Sequence, residues 1–103
     1  MSYNYSKFAN IFKTMSDPTR LKILEILSFS VEPCANDILK QLKITQPTLS
    51  YHLSILVEAN IVIAIKNKQQ KQYKINKSMF TEMHHFIMKI DENNDQNLKN
   101  IQK

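Results

Sequence analysis

A chain of 103 residues, 43% of them apolar and 22% charged, can build one small core and is too short for two domains. It contains no glycine, which excludes Walker loops, dinucleotide fingerprints, nucleophile elbows and glycine-rich phosphate clamps, because each needs positive φ or a close backbone approach. The net charge of +5 is unevenly spread: residues 1–37 carry four basic and four acidic side chains, residues 38–80 seven lysines against Glu58 alone, and residues 81–103 three lysines against four acids. A cationic excess confined to the middle of the chain attracts polyanions, although a solvated lysine face would have the same composition. The longest apolar run, Ile61 to Ile65, falls far below the roughly 20 residues of a membrane helix. The N-terminus also lacks an apolar signal region, so a cytoplasmic protein without membrane contact is expected. The single cysteine, Cys34, cannot form an internal disulfide, which suits a reducing compartment.

Apolar residues at Phe8, Ile11, Phe12 and Met15 predict a first amphipathic helix. Ser16-Asp17-Pro18 supplies a cap followed by a proline preset for a first turn, so a second helix is expected from Pro18 to Ser28. Ile38, Leu39 and Leu42 predict a third, from Pro33 or Cys34 to about Lys43. Thr45 caps a fourth by accepting the amide of Thr48, and Pro47 is tolerated in its first turn. Leu49, Leu53, Leu56 and Val57 face inward there. Pro47, Ser50, Tyr51, Ser54 and Glu58 lie opposite, with Gln46 and Thr48 at the open first turn. The β-branched run Ile61 to Lys66 and the alternating Gln72 to Ile75 read as two strands, with a hairpin tip at residues 67–71 and Asn67 in the left-handed position. A fifth helix follows Asn76, with Phe80, Met83, His84, Ile87 and Ile90 spaced for burial. Residues 91–103 read as a polar, frayed tail.

The expected fold is mainly α with a small β-hairpin: a winged helix-turn-helix of five helices and a two-stranded wing, occupying residues 1–90. The hydrogen-bonding face of the fourth helix, nearly free of charge, suits base edges in the major groove. Thr45, Gln46, Thr48, Ser50, Tyr51, His52 and Ser54 are therefore candidate DNA-binding residues. Lys66, Lys68 and Lys71 on the hairpin suit the phosphate backbone or the adjacent minor groove. Double-stranded DNA is the expected partner. The alternative is a protein- or RNA-docking module without operator specificity, which would discriminate weakly between duplexes.

Three stretches carry a family resemblance: Met15-Ser16-Asp17-Pro18-Thr19-Arg20-Leu21-Lys22-Ile23-Leu24, Ile44-Thr45-Gln46-Pro47-Thr48-Leu49-Ser50-Tyr51-His52-Leu53, and Leu56-Val57-Glu58-Ala59-Asn60-Ile61-Val62. In this order and spacing the chain, from about Phe8 to Ile90, resembles the ArsR/SmtB winged-helix transcriptional regulators. The resemblance implies a homodimeric repressor, paired through its first and last helices on a near-palindromic operator and released by an inducer. Phe8, Ile11, Phe12, Phe80, Met83, His84, Ile87 and Ile90 are then the candidate dimer interface. Tyr51 stands where many relatives carry arginine. A tyrosine hydroxyl can meet a phosphate but cannot grip guanine bidentately, so a different operator preference is expected.

Members of that family often sense metals, and neither usual ligand set is complete here. Where a C-x-C pair would stand in the third helix, this chain has Cys34-Ala35-Asn36, and one thiolate cannot make a three- or four-ligand soft-metal site. No acid or histidine lies between Asn76 and Thr81, so Glu82, His84 and His85 offer only part of a last-helix set. No metal site and no cofactor are expected, with Cys34, His84 and His85 the residual metal-donor candidates. Cys34 reads as a small, buried apolar residue rather than a redox switch. No third group to orient a Cys-His pair and no glycine-built oxyanion loop is evident, so an enzyme is not expected.

Overall fold

The computed structural model describes residues 3–101, with side chains through residue 96. In chain order the elements are α1 (Tyr5–Met15), α2 (Pro18–Ser28), α3 (Ala35–Leu39), α4 (Gln46–Glu58), β1 (Val62–Asn67), β2 (Gln70–Ile75) and α5 (Lys77–Ile101). This is the expected five-helix architecture with a two-stranded wing.

The helices start where side chains can take up orphaned amides. Asn4 accepts from the Lys7 amide at 3.0 Å, Asp17 from Arg20 at 3.1 Å ahead of Pro18, Thr45 from Thr48 at 3.4 Å, and Asn76 from Met79 at 3.4 Å. The end of α4 is equally well defined. The Asn60 amide donates to the Val57 carbonyl and the Ile61 amide to the Leu56 carbonyl, both at 3.0 Å, with Asn60 left-handed at φ 62°. This is a Schellman ending in which asparagine does what glycine usually does, and the flanking Leu56 and Ile61 are fully buried.

The core joins Phe8 and Ile11 of α1, Ile23, Leu24, Ile26 and Leu27 of α2, Ile38 of α3, Leu49, Leu53 and Leu56 of α4, then Ile61, Val62, Met79 and Met83. An aromatic cluster ties α1 and the residue Tyr3 before it to α5. Phe8 of α1 stacks on Phe86 of α5 with centroids 4.9 Å apart and planes within 8°, and Tyr3 meets Phe86 edge-on at 5.2 Å.

Three boundaries differ from expectation. Helix α3 stops at Leu39 rather than near Lys43, because the amides of Gln41 and Leu42 bond three residues back, to Ile38 and Leu39, and the backbone tightens into the turn that leads to α4. The segment expected as a frayed tail is helical through Ile101: residues 91–101 contain neither proline nor glycine, and Lys89 lies 4.0 Å from Glu92 across one turn. The wing tip is shorter than residues 67–71. β1 and β2 pair antiparallel from Val62↔Ile75 to Asn67↔Gln70, leaving only Lys68 and Gln69 to turn.

In that two-residue turn the left-handed residue is Lys68, at φ 59°, and not Asn67. Asn67 is held in the ladder, its Nδ2 donating to Gln72 Oε1 at 3.3 Å, so the positive φ falls on the first turn position, where glycine is usual. Lys68→Gly is accordingly expected to raise stability by about 0.5–1 kcal/mol in a urea titration, by removing a Cβ from a left-handed position. The base of the hairpin is tied down as well: the Tyr73 amide donates to the Pro33 carbonyl at 3.0 Å, and Cys34 makes a single antiparallel bridge to Gln72.

Candidate nucleic-acid interface

The outward side of α4 carries Gln46, Thr48, Ser50, Tyr51 and Ser54, all exposed, with Tyr51 at 61%. Their hydrogen-bonding capacity is partly committed. Thr45 Oγ1 accepts the Thr48 amide and donates to Thr48 Oγ1 at 2.9 Å, so Thr45 serves first as the cap that starts the helix. Ser54 Oγ donates to the Tyr51 carbonyl at 2.8 Å, which leaves its oxygen free to accept. Gln46, Ser50 and the Tyr51 hydroxyl point to solvent without a partner among the described residues.

The hairpin stands beside this face. Ser50, Ser54 and Val57 of α4 line a groove of about 420 Å³ whose other wall is Ala64, Lys71 and Tyr73. Gln46, Asn36, Gln70 and Lys71 border a smaller cleft of about 190 Å³ at the helix start. Lys71 borders both, so the polar side of α4 and the basic side of the hairpin open in one direction. Tyr73 is half-buried at the hairpin base, and burial pushes its hydroxyl above the usual value of 10.0. Lys66 and Lys71 are direct cross-strand partners, and neither has an ion-pair partner among the described residues. Like charges placed opposite each other weaken a hairpin unless a polyanion neutralises them.

His52, expected at the DNA, lies inside instead. It is 9% exposed and its Nδ1 is 3.2 Å from the Arg20 guanidinium, whose Nε donates to the Thr14 carbonyl at 2.6 Å. The spacing explains this placement, because Leu49, His52, Leu53 and Leu56 form one i, i+3, i+4, i+7 stripe and the stripe faces the core. Arg20, which the sequence offered only as part of a motif, is thus a member of the site's support.

The amide hydrogen bond from Arg20, then the charge of its guanidinium, holds the Asp17 carboxyl below its usual 3.8. Asp37 is likewise lowered, by the Cys34 thiol donating to its Oδ2 at 3.2 Å and by the Cys34 amide at 3.1 Å. Carboxyls depressed in the folded state stabilise it above pH 3.8, and that contribution disappears as pH falls through their folded values. Asp17→Asn keeps a capping acceptor and removes the charge. Its stability deficit relative to the parent, followed by denaturant midpoint, is expected at neutral pH and should close below about pH 3.8.

The candidate dimer residues divide into two groups. Phe8, Ile11 and Met83 are buried in the chain's own core and are not available to a partner. Phe12, His84, Ile87 and Ile90 are exposed, the last two at 52% and 55%, and Phe80 is half-buried. Sequence periodicity places all of them on apolar stripes without showing which neighbour covers each. Among the described residues no three His, Cys, Asp or Glu side chains come together as a metal cluster. The donor set does not suit a soft metal either: Cys34 is bonded to Asp37, Asn36 stands beside it, and His84 and His85 lie on α5. Nor is any described helix long and apolar enough to cross a membrane.

Comparison with known proteins agrees with this geometry. Residues 17–64 match the family described as bacterial regulatory protein, arsR family. The arsenical resistance operon repressor of Staphylococcus xylosus is 38% identical over 92 residues, covering 89% of this chain and 81% of that protein. Among solved structures, an ArsR-like transcriptional regulator from Rhodococcus sp. RHA1 superposes with a TM-score of 0.81 at 23% identity, over 94% of this chain and 91% of that one. The homodimeric winged helix-turn-helix DNA-binding domain of a possible ArsR-family regulator from Mycobacterium bovis superposes with a TM-score of 0.69 at 19% identity, over 85% and 81%. With both sequence motifs folded onto one helix-turn-helix and its wing, the chain belongs to the ArsR family of winged helix-turn-helix regulators.

Proposed function

We propose that the protein is a transcriptional repressor that binds a near-palindromic operator in double-stranded DNA as a homodimer. The observation that carries this reading is the shared opening of the polar face of α4, which carries Glu58 as its one charge, and the lysines of the hairpin. An α-helix fits the major groove, which is about 12 Å wide, and glutamine, serine and threonine there can meet base edges. Lys66, Lys68 and Lys71 supply the phosphate contacts that set register and affinity without selecting sequence. Exposed Ile87 and Ile90 on α5, with Phe12 on α1, provide the apolar surface for a second copy. The arsenical resistance repressor of S. xylosus and the homodimeric domain of M. bovis support repression and pairing.

The test is a titration of the full chain against its own promoter DNA and a scrambled duplex at two salt concentrations, alongside a reporter assay for repression. Promoter binding about a hundredfold tighter than the scramble is expected, within the usual range for specific recognition. Gln46→Ala and Ser50→Ala should narrow that gap, whereas Lys68→Ala should weaken both duplexes equally and lower the salt slope by about one. Equal binding of the two duplexes by the parent protein would instead identify a docking module without operator specificity. Activation in the reporter assay would overturn repression.

A further inference from the structure

We propose that Arg20 and His52 form the joint that sets the pose of α4 on the body of the protein, and that this joint holds only while His52 is uncharged. The proposal rests on the reading of α4 as the DNA-contacting helix and assigns the residues that position it.

One guanidinium joins three helices. Arg20 belongs to the first turn of α2, its Nε holds the Thr14 carbonyl at the end of α1, and its other arm reaches His52 Nδ1 on α4. The three-helix junction is half-buried, and no buried side-chain polar atom among the described residues lacks a partner. Arginine has donors only, so Nδ1 must accept and the ring proton must sit on Nε2. His52 is therefore neutral in this arrangement. Ser50, Tyr51 and Ser54 lie within two positions of it on the same helix, so any shift of His52 along or around α4 moves the groups that face the groove.

The surroundings supply a second state. The charged groups that face the ring both come from the start of α2: Arg20 at 3.2 Å and Asp17 at 4.0 Å. On its own helix the neighbouring ring is Tyr51, edge-on at 5.5 Å, and α1 contributes the Thr14 carbonyl on the far side of the same guanidinium. A proton added at Nδ1 converts the acceptor into a donor and sets a cation against Arg20. Asp17 Oδ2, already the cap of α2, stands 4.0 Å from Nδ1 and can take that new N–H once the two close to hydrogen-bond distance. Protonation thus exchanges an Arg20–His52 joint for an Asp17–His52 pair and repositions α4 against the α2 cap.

This exchange separates specific from non-specific binding. An added positive charge strengthens attraction to any duplex, while a displaced α4 weakens base contacts, so the promoter-to-scramble affinity ratio is the quantity to follow. For the parent chain the ratio is expected to fall at least tenfold between pH 7.5 and 5.5, with scramble binding unchanged or tighter. In His52→Asn, Oδ1 takes the place of Nδ1 as an acceptor that does not titrate. Its ratio should stay within about threefold of the parent value at pH 7.5 and remain flat to pH 5.5. His52→Leu keeps the apolar stripe but removes the acceptor, and should lose at least tenfold in ratio at pH 7.5 with its salt slope intact. Thermal midpoints of both variants identify any loss that is merely unfolding, and His52→Asn remains informative if His52→Leu does not fold.

Long-range 1H–15N NMR of the His52 ring gives a readout independent of DNA, and a proton on Nε2 at pH 7.5 is the expected result. A proton on Nδ1 at that pH, a parent ratio that does not change with pH, or a full ratio in a folded His52→Leu would each overturn the joint. Equal binding of promoter and scramble by the parent at pH 7.5 would overturn the DNA reading, and the purpose assigned to the joint with it, whatever tautomer the ring shows.

Discussion

Replacing Lys66 and Lys71 together with glutamine is expected to weaken binding to any duplex by up to about 60-fold at 0.1 M salt, because each phosphate neutralised contributes a slope of about 0.9 in log affinity against log salt. The loss should shrink toward nothing near 1 M salt, and the slope itself should fall by about two. The same double substitution should leave the hairpin no less stable, because it removes two like charges from directly opposite ladder positions. Affinity and stability then move in opposite directions, which distinguishes a surface kept for a polyanion from one kept for folding. Titrations at four salt concentrations with a parallel urea denaturation read both effects. An unchanged slope would remove these lysines from the interface.

Leu56→Ala carries the largest expected cost in stability. Leu56 is fully buried on the inner side of α4 and lies next to the Schellman turn that hands the chain to β1. Truncation removes the transfer energy of the side chain and leaves a cavity, together about 2–5 kcal/mol. Against a total of roughly 5–15 kcal/mol for a domain of this size, that is enough to populate unfolded chains measurably. The urea midpoint should drop with little change in the denaturant slope, and DNA affinity should fall only as far as the folded fraction does.

Much of this organisation is legible in the residues themselves. The Asp17-Pro18 start and Ser28 end of α2 and the Thr45 cap of α4 follow from local hydrogen-bond chemistry, which acts within three or four residues and leaves a local mark. The outward face of α4 follows from 100° per residue. What escapes is what depends on partners far along the chain. His52 lies on the leucine stripe of α4, and that spacing signals burial, but its acceptor role becomes visible only when Arg20 arrives from 32 residues away. Phe8 and Ile11 have the same periodicity as Phe12, yet Phe86 and the core cover the first two and leave Phe12 half open. The left-handed residue at the wing falls on Lys68 because strand register sets it, and register is a property of the pair of strands. The residues beyond Asp91 are polar and rich in Asn and Asp, weak helix formers that predict fraying, yet with no proline or glycine to stop it α5 continues to Ile101.

The stacking of Phe8 on Phe86 has a consequence for how the molecule is made. On the ribosome α1 emerges before α5, so Phe8 has no Phe86 to stack on until α5 has been synthesised. The helix-turn-helix and wing can assemble from contacts among the elements between those two helices, but the clasp of Phe8 on Phe86 must close the whole loop from α1 to α5. Nascent chains stalled before Phe86 would therefore present Phe8 and Tyr3 to solvent, and those are the residues a chaperone would meet.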